Sequence, residues 1–404
     1  MIYDCVIIGA GASGLYCASR ILSQKDLSVA VIDLGNRPGK KLLMTGGGRC
    51  NLSNRSIDIS KYYTDNPTIL KEILASHGSE DALRFFTDVL GLAVSYDGDL
   101  VYPSSYRAST VLDSIVCYLK EHNCSFIFDT AITSVLLSDG IYDLGNDIKA
   151  RTVVLAAGGA SYPETGSNGS FINILKSFQD VKITPLLPSL VPLKTAERDI
   201  FTLSGKRVKC HLDLYQNRKR TDILSSSDGE LLFTDYGVSG ICVLDISGFA
   251  VRAIKNGQRP VLVVKLCDPE KVRYNLSIFP ERCISDALIG VLQKDLIDVL
   301  LKRTGIDCTR TVSTLSDKEV EIVASGISEM MLSITGSRSY DQAQVTTGGV
   351  DLSSLDRNLS VPGHNNFFVC GESLNVDGIC GGYNLQFAWS SADLASKGVI
   401  GCLS

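Results

Sequence analysis

Gly9, Gly11 and Gly14 stand in a Gly-x-Gly-x-x-Gly spacing directly behind the short apolar run Cys5–Ile8. In such a spacing the first glycine permits a tight turn, the second lets a pyrophosphate approach the backbone, and the third lets a helix pack closely on a strand. Ala12 and Ser13 then fall in the first turn of that helix, where free amides face an anion. Asp33 follows 24 residues after Gly9 and closes a second β-rich run, Ser28–Ile32. It is placed to accept hydrogen bonds from ribose hydroxyls, with Leu34 beside it. The chemistry these residues predict is the grip on a dinucleotide.

To position them the chain needs a strand, a helix and a second strand within its first 33 residues. Leu15, Ala18, Ile21 and Leu22 recur at helical spacing between the two runs, which completes a βαβ unit. The same fingerprint serves NAD and FAD, and two distant stretches separate them. Val154–Gly166 ends an apolar run on Ala157, Gly158 and Gly159 and continues to Tyr162, and Val369–Gly378 ends another on Gly371 and Glu372. A cofactor that spans the sheet and returns toward a C-terminal helix needs such contacts, so FAD fits better than NAD. Gly381–Gln386 opens that last helix, whose positive end would stabilise charge on a reduced flavin ring. Gly381 and Gly382 permit close approach there. Tyr383 and Asn384, followed by Leu385, are the side chains best placed to border the ring, and they are the only candidates for catalytic residues; capping and packing the helix is their competing role.

A glycine-dense island, Lys41–Asn54, is too polar for regular structure and reads as a loop near a ligand. Helices are predicted around 68–74, 81–90 and 110–121, a strand over Ser125–Leu137, and a further strand over Val153–Ala157. After Pro185, Pro188 and Pro192 the texture changes to alternating runs such as Val208–Tyr215 and Val261–Leu266. Within that region Ser285–Arg303 reads as one amphipathic helix closed by Gly305, and Ser316–Glu319 is a capping-box pattern. The glycine-rich texture returns at Thr346–Leu352. The final helix is expected to stop at a capping Gly398. The expected division is an FAD domain from residues 1–188 and 338–404, interrupted by a β-rich insert over 189–337 with a helical subdomain at about 268–328. The expected fold class is α/β, a glutathione-reductase-like Rossmann domain with that insert, and the substrate is expected between insert and flavin.

Composition narrows the alternatives. Of 404 residues, 45% are apolar and 21% charged, ordinary for a globular protein. Thirteen cysteines include no Cys-x-x-Cys pair and the four histidines do not cluster with them, so no metal site is expected and the protein reads as cytoplasmic. The apolar N-terminus lacks a basic leader and is cut by Asp4 and three glycines, unlike a signal peptide or membrane anchor. A net charge of −5 argues against nucleic acid as a partner. Arg218, Lys219 and Arg220 read as a solvated turn.

Thr45–Asn51 (TGGGRCN), Ala157–Gly166 (AGGASYPETG), Thr346–Val350 (TTGGV) and Gly381–Gln386 (GGYNLQ) together resemble the HI0933-like flavoprotein family, which includes aminoacetone oxidases and a proposed bile-acid double-bond reductase. The resemblance spans essentially the whole chain. It implies FAD contacts for Lys41, Gly46, Gly47, Gly48, Arg49, Cys50 and Asn51, and a backbone contact from Ile132 to the adenine. Gly166–Asn173 departs from the family pattern by lacking an aspartate, and Cys380 and Ile241 stand where other residues are commoner. These departures bear on the substrate more than on the flavin. Packing is the expected role of Cys50 and Cys380, with non-covalent FAD. No second glycine fingerprint follows a strand, so NAD(P)H is admitted only as a transient electron donor to a small-molecule reaction. Three functions follow: hydride transfer from a small amine, resembling aminoacetone oxidases; reduction of a conjugated carbon–carbon bond in a steroid-like acid; or flavin binding without catalysis.

Overall fold

The computed structural model describes residues 2–178 and 180–404. The chain forms two compact units, Met1–Ser189 with Tyr340–Ser404, and Leu190–Ser339.

The first unit is built on strands β1 (Ile2–Ile8), β2 (Val29–Ile32), β3 (Ser125–Ile127), β4 (Lys149–Leu155), β5 (Ser360–Val361) and β6 (His364–Val369), in the spatial order β5-β6-β4-β1-β2-β3. All neighbours are parallel except β5 and β6. This is a Rossmann-type α/β sheet. Cys5–Ile8, Val29–Ile32, Val153–Leu155 and Phe367–Val369 read as unbroken apolar runs because both faces of the sheet are covered there. Cys5 and Ile7 pack into one cluster with Val31, Val154 and Phe368; Val6 and Ile8 pack into the opposite one with Ile32, Leu155 and Val369. The chain runs from β1 to β2 on one side and later supplies β4 on the other, so strand order reverses at the carboxyl end of β1. Ligands of open α/β sheets bind at such a point.

The helices of this unit include α1 (Ala12–Leu22), α2 (Pro67–Ser76), α3 (Ala108–Glu121) and α4 (Tyr383–Cys402). Helix α4 does not end at Gly398. An added Cβ there would lie 2.3 Å from the Phe368 ring, so this glycine serves close packing of helix on sheet rather than a cap. The strand expected over Ser125–Leu137 also ends early. After Ile127 the chain turns at Asp129, whose φ is +52°, and bonds back to Gly35 and Asp33 before a hairpin of Leu136–Ser138 and Ile141–Asp143, whose second strand joins the sheet antiparallel to β4. Over 81–90 an α-helix gives way to a π-turn at Phe85–Val89.

Where α1, α2 and α4 meet, a buried polar knot ties them. The Tyr16 hydroxyl and Nε2 of His77 share a hydrogen bond (2.7 Å), and Nδ1 of His77 lies 3.6 Å from Oδ2 of Asp393. Asp393 also pairs with Arg20 (2.7 Å) and Lys397 (2.6 Å). Burial holds the His77 imidazole at a pKa of about 4; Asp393 pulls it up and Arg20 pushes it down. Below pH 6.5 the unfolded chain therefore takes a proton that the folded state refuses until about pH 4. Stability falls as pH falls through that window, by about 3 kcal/mol in total. Urea denaturation at pH 7.0 and 4.5 will show a stability loss that is smaller by most of this amount in a His77→Gln variant; an unchanged slope in the variant would refute the assignment.

The second unit contains a closed barrel of Leu193–Thr195, Arg207–Tyr215, Ile223–Thr234, Gly237–Ser239, Val261–Lys265 and Glu329–Ser337. Ile241–Lys255 is its long helix, and shorter helices lie between Pro269 and Ser328. The Ser316–Glu319 capping box forms as expected, with Ser316 N–H donating to Glu319 Oε2 (2.8 Å). Ser285–Arg303 is two helices, Ile284–Ala287 and Lys294–Thr304, with a turn carrying Gly290 between them. The break is stitched by Ser285, whose hydroxyl donates to Asp298 (2.5 Å). Apolar spacing continues across the turn because Ile284 and Leu288 are buried before it and Leu296, Leu300 and Leu301 after it. Arg218 and Arg220 are paired with Glu197 and Glu329. No helix among the described residues is long and apolar enough to cross a membrane.

Candidate cofactor site

A cavity of about 440 Å³ opens at the carboxyl end of β1 in the first unit. Its floor is the first glycine turn. Gly9 has φ +111° and an added Cβ would lie 2.3 Å from the Ala156 carbonyl oxygen; at Gly14 it would lie 1.9 Å from the Gly9 oxygen. Gly11 differs, for a Cβ there meets nothing within 4 Å and would project into open space. Helix α1 begins on Gly11 with no side-chain cap and no acidic residue in its first turn. Its leading amides, at Ala12 and Ser13 on the cavity wall, are thus left for a ligand, and the helix dipole favours an anion.

Asp33 lines the same cavity beside the exposed Leu34. Its carboxylate accepts from the N–H of Ala10 (2.7 Å) and of Gly35 (2.7 Å), which fixes the side chain at the sheet end and leaves lone pairs over. Arg37 and Lys40 face this wall too, and the sequence reading did not single them out. A run of cations between Gly35 and Lys41 was the available signal. Ile132 borders the cavity with Thr130 and Thr133, in the loop that leaves β3.

On the opposite side, Ala157, Gly158 and Glu372 form the wall. Glu372 is a hub. It accepts from Lys41 Nζ (2.5 Å) and Ser161 Oγ (3.1 Å), and from the N–H of Thr346 (2.8 Å). Thr346 in turn accepts from the N–H groups of Ala160 (2.7 Å) and Ser161 (3.1 Å). Gly159 makes room for it, since a Cβ there would fall 2.4 Å from the Thr346 hydroxyl. Gly371 plays the matching part toward α1, where a Cβ would strike the Ser13 hydroxyl at 2.3 Å. Ser161 and Thr346 lie inside two of the sequence motifs, but their individual role depends on partners up to 211 residues away.

Asn384 and Leu385 bring α4 to the cavity. The Asn384 amide accepts from Gly378 N–H (2.9 Å) and donates to the Gly378 carbonyl (2.8 Å), clamping the preceding loop to the helix start. Tyr383 turns away. It is 7% exposed, its ring sits 5.3 Å from that of Tyr62, and it lies outside the cavity lining. Gly46, Gly47, Gly48, Arg49, Cys50 and Asn51 are outside the lining as well, although Lys41, Leu42 and Thr45 belong to it. All three glycines have positive φ, between +57° and +86°. Asn51, with its amide nitrogen toward the Ser53 carbonyl (2.9 Å), accepts from the N–H of Gly382 (3.1 Å) and so holds the start of α4. Gly382 itself has φ +90° and would clash with the Ser53 carbonyl if it carried a Cβ; Gly381 adjoins it at φ +109°. Tyr162, also left-handed at φ +53°, lies behind the Glu372 wall with its N–H on the Tyr340 carbonyl (3.0 Å). Cys50 is buried, which pushes its thiol up to about 12 and keeps it protonated at neutral pH. Cys380 is half-buried.

A family model for the HI0933-like protein Rossmann domain matches residues 3–398. The chain belongs to the HI0933-like family. It is 30% identical over 403 residues to a 3-dehydro-bile acid delta(4,6)-reductase of Clostridium scindens, covering 97% of each chain. It is 29% identical to a ribosomal RNA dihydrouridine synthase of Escherichia coli, covering 100% of this chain and 99% of the relative. Among solved structures, a 3-ketosteroid delta1-dehydrogenase from Sterolibacterium denitrificans is 11% identical, with a TM-score of 0.48 over 99% of both chains.

This member of the family is an FAD-dependent oxidoreductase. The cavity suits that cofactor on its own terms: an uncapped helix end, a glycine with empty space where a Cβ would be, and three lining cations, Arg37, Lys40 and Lys41. The amides of α1, with Arg37 and Lys40, would hold the diphosphate; Asp33 would hold the ribose.

Proposed function

We propose that this enzyme reduces a carbon–carbon double bond conjugated to a carbonyl, in a substrate of the steroid-acid type, with NAD(P)H as the transient electron donor. One observation carries the proposal. Two relatives align over nearly their whole lengths, and their names, a bile acid delta(4,6)-reductase and a dihydrouridine synthase, describe unlike substrates. In chemical terms both names describe hydrogen added across a carbon–carbon bond beside a carbonyl. The reaction is therefore the trait best carried across the family, and the identity to the bile-acid enzyme favours a steroid-like substrate.

When bound, FAD supplies a hydride donor and acceptor at flavin N5. The protein's own part is orientation and electrostatics. Asp33, Arg37 and Lys40 anchor the nucleotide end. The Lys41–Glu372–Ser161 network braces the far wall, and Asn384 holds the start of α4, whose positive dipole end favours an anionic reduced ring.

Anaerobic titration of the yellow protein, followed at the flavin absorption band, tests this. Bleaching by NADH or NADPH and recovery of colour on adding a 3-oxo-4,6-dienoic steroid acid are expected. Bleaching by aminoacetone alone, with no recovery by the dienone, would overturn the reading in favour of amine oxidation. Recovery by uridine-containing RNA and not by the dienone would keep the reaction but overturn the substrate.

A further inference from the structure

Ser167 lies on the cavity wall, 6% exposed, and its hydroxyl has no hydrogen-bond partner. Its neighbours are satisfied. The Thr165 hydroxyl donates to the Tyr162 carbonyl (2.7 Å), and the Asn168 side chain accepts from Ser170 N–H (3.0 Å). A buried hydroxyl without a partner is costly and rare, and when it faces a binding cavity the missing partner is most simply the ligand. The surrounding backbone leaves space for it. Gly158 has φ +75°, and a Cβ there would come within 2.9 Å of the Ser167 oxygen.

The position along the cavity says which part of the ligand it meets. Gly166, the residue before it, faces the Asp33 carboxylate; a Cβ on Gly166 would lie 3.7 Å from Asp33 Oδ1. Ser167 therefore lies between Asp33, reached through Gly166, and Gly158, whose Cβ position is also 3.9 Å from Glu372 Oε2, at the carboxyl ends of β2 and β4. We propose that the Ser167 hydroxyl hydrogen-bonds the adenosine-diphosphate half of FAD, at a ribose hydroxyl or a phosphate oxygen, and helps set the enzyme's preference for FAD over shorter flavins. The inference rests on the flavin reading of the cavity.

The full chain stripped of flavin is titrated with FAD and with FMN by flavin fluorescence, and ADP is measured as a competitor. In Ser167→Ala the dissociation constants for FAD and ADP are expected to rise together, about five- to tenfold, for the loss of one hydrogen bond. FMN, which lacks the adenosine half, is expected to bind as it does to wild type. The flavin-free variant should melt at or above the wild-type temperature, because the substitution removes an unpaired buried hydroxyl. Unchanged FAD affinity overturns the proposal. So does equal weakening of FAD and FMN, or a lowered melting temperature without flavin, since either marks a role in the fold alone. Failure of the wild type to take up FAD would sink the flavin assignment itself, and this proposal with it.

Discussion

Gly14→Ala will lower the stability of the flavin-free protein by about 3 kcal/mol or more, whereas Gly11→Ala will leave it within about 0.5 kcal/mol and weaken FAD binding about a hundredfold. The two glycines belong to one motif, yet their surroundings are opposite. A methyl at Gly14 would overlap the Gly9 carbonyl oxygen at 1.9 Å, and relief requires moving α1 off β1. At Gly11 the backbone is extended, with φ −84°, and the methyl meets no protein atom within 4 Å. It would instead fill the space through which a pyrophosphate reaches the amides of α1. Denaturant melts of the flavin-free proteins separate the two effects from FAD affinity. Equal loss of stability in both variants would show that Gly11 also serves packing; full FAD affinity in Gly11→Ala would show that the phosphates lie elsewhere.

This contrast also marks what could be read from sequence. The turn at Gly9–Gly14 and the place of Asp33 at the sheet end were legible because they depend on backbone conformation and on neighbours within the first 35 residues. The Glu372 hub was only half legible. Glu372 stands out in the sequence at the end of an apolar run beside Gly371, and Lys41 at the start of the glycine-dense island, but the purpose of Ser161 and Thr346 appears only when β4, the stretch Thr346–Val350 and the loop after β6 converge. Gly398 misled because glycine ends helices and also lets them approach a ring, and spacing alone does not choose. Tyr383 and Asn384 part company for a similar reason. The first turn of α4 points Asn384 at the cavity and Tyr383 into the core against Tyr62, a difference of one residue in a helix whose direction the sequence does not state. The helix over Ser285–Arg303 divided because apolar periodicity survives a short turn, so period by itself overstates continuity.

Replacing Asp393 will cost about 3 kcal/mol, more than any surface ion pair in the molecule should. Its side chain is fully buried and is shared by Arg20, His77 and Lys397, which come from α1, the end of α2 and α4. Asp393→Asn keeps the shape and removes the charge. Arg20, one-fifth exposed and stacked over Phe85, would then hold a poorly compensated cation; Lys397, nearly half exposed, can turn to water, which limits the loss. A double-mutant cycle with Arg20→Met should return a coupling above about 1 kcal/mol, and additive effects would show that the pair contributes no specific stability. The substitution should also act on His77. Asp393 is the neighbour that raises the imidazole pKa against burial, so its removal drives that pKa below about 4 and makes the variant lose still more stability on acidification from pH 6.5. A shallower acid slope in Asp393→Asn than in wild type would show that the carboxylate and the imidazole are not coupled across the 3.6 Å gap.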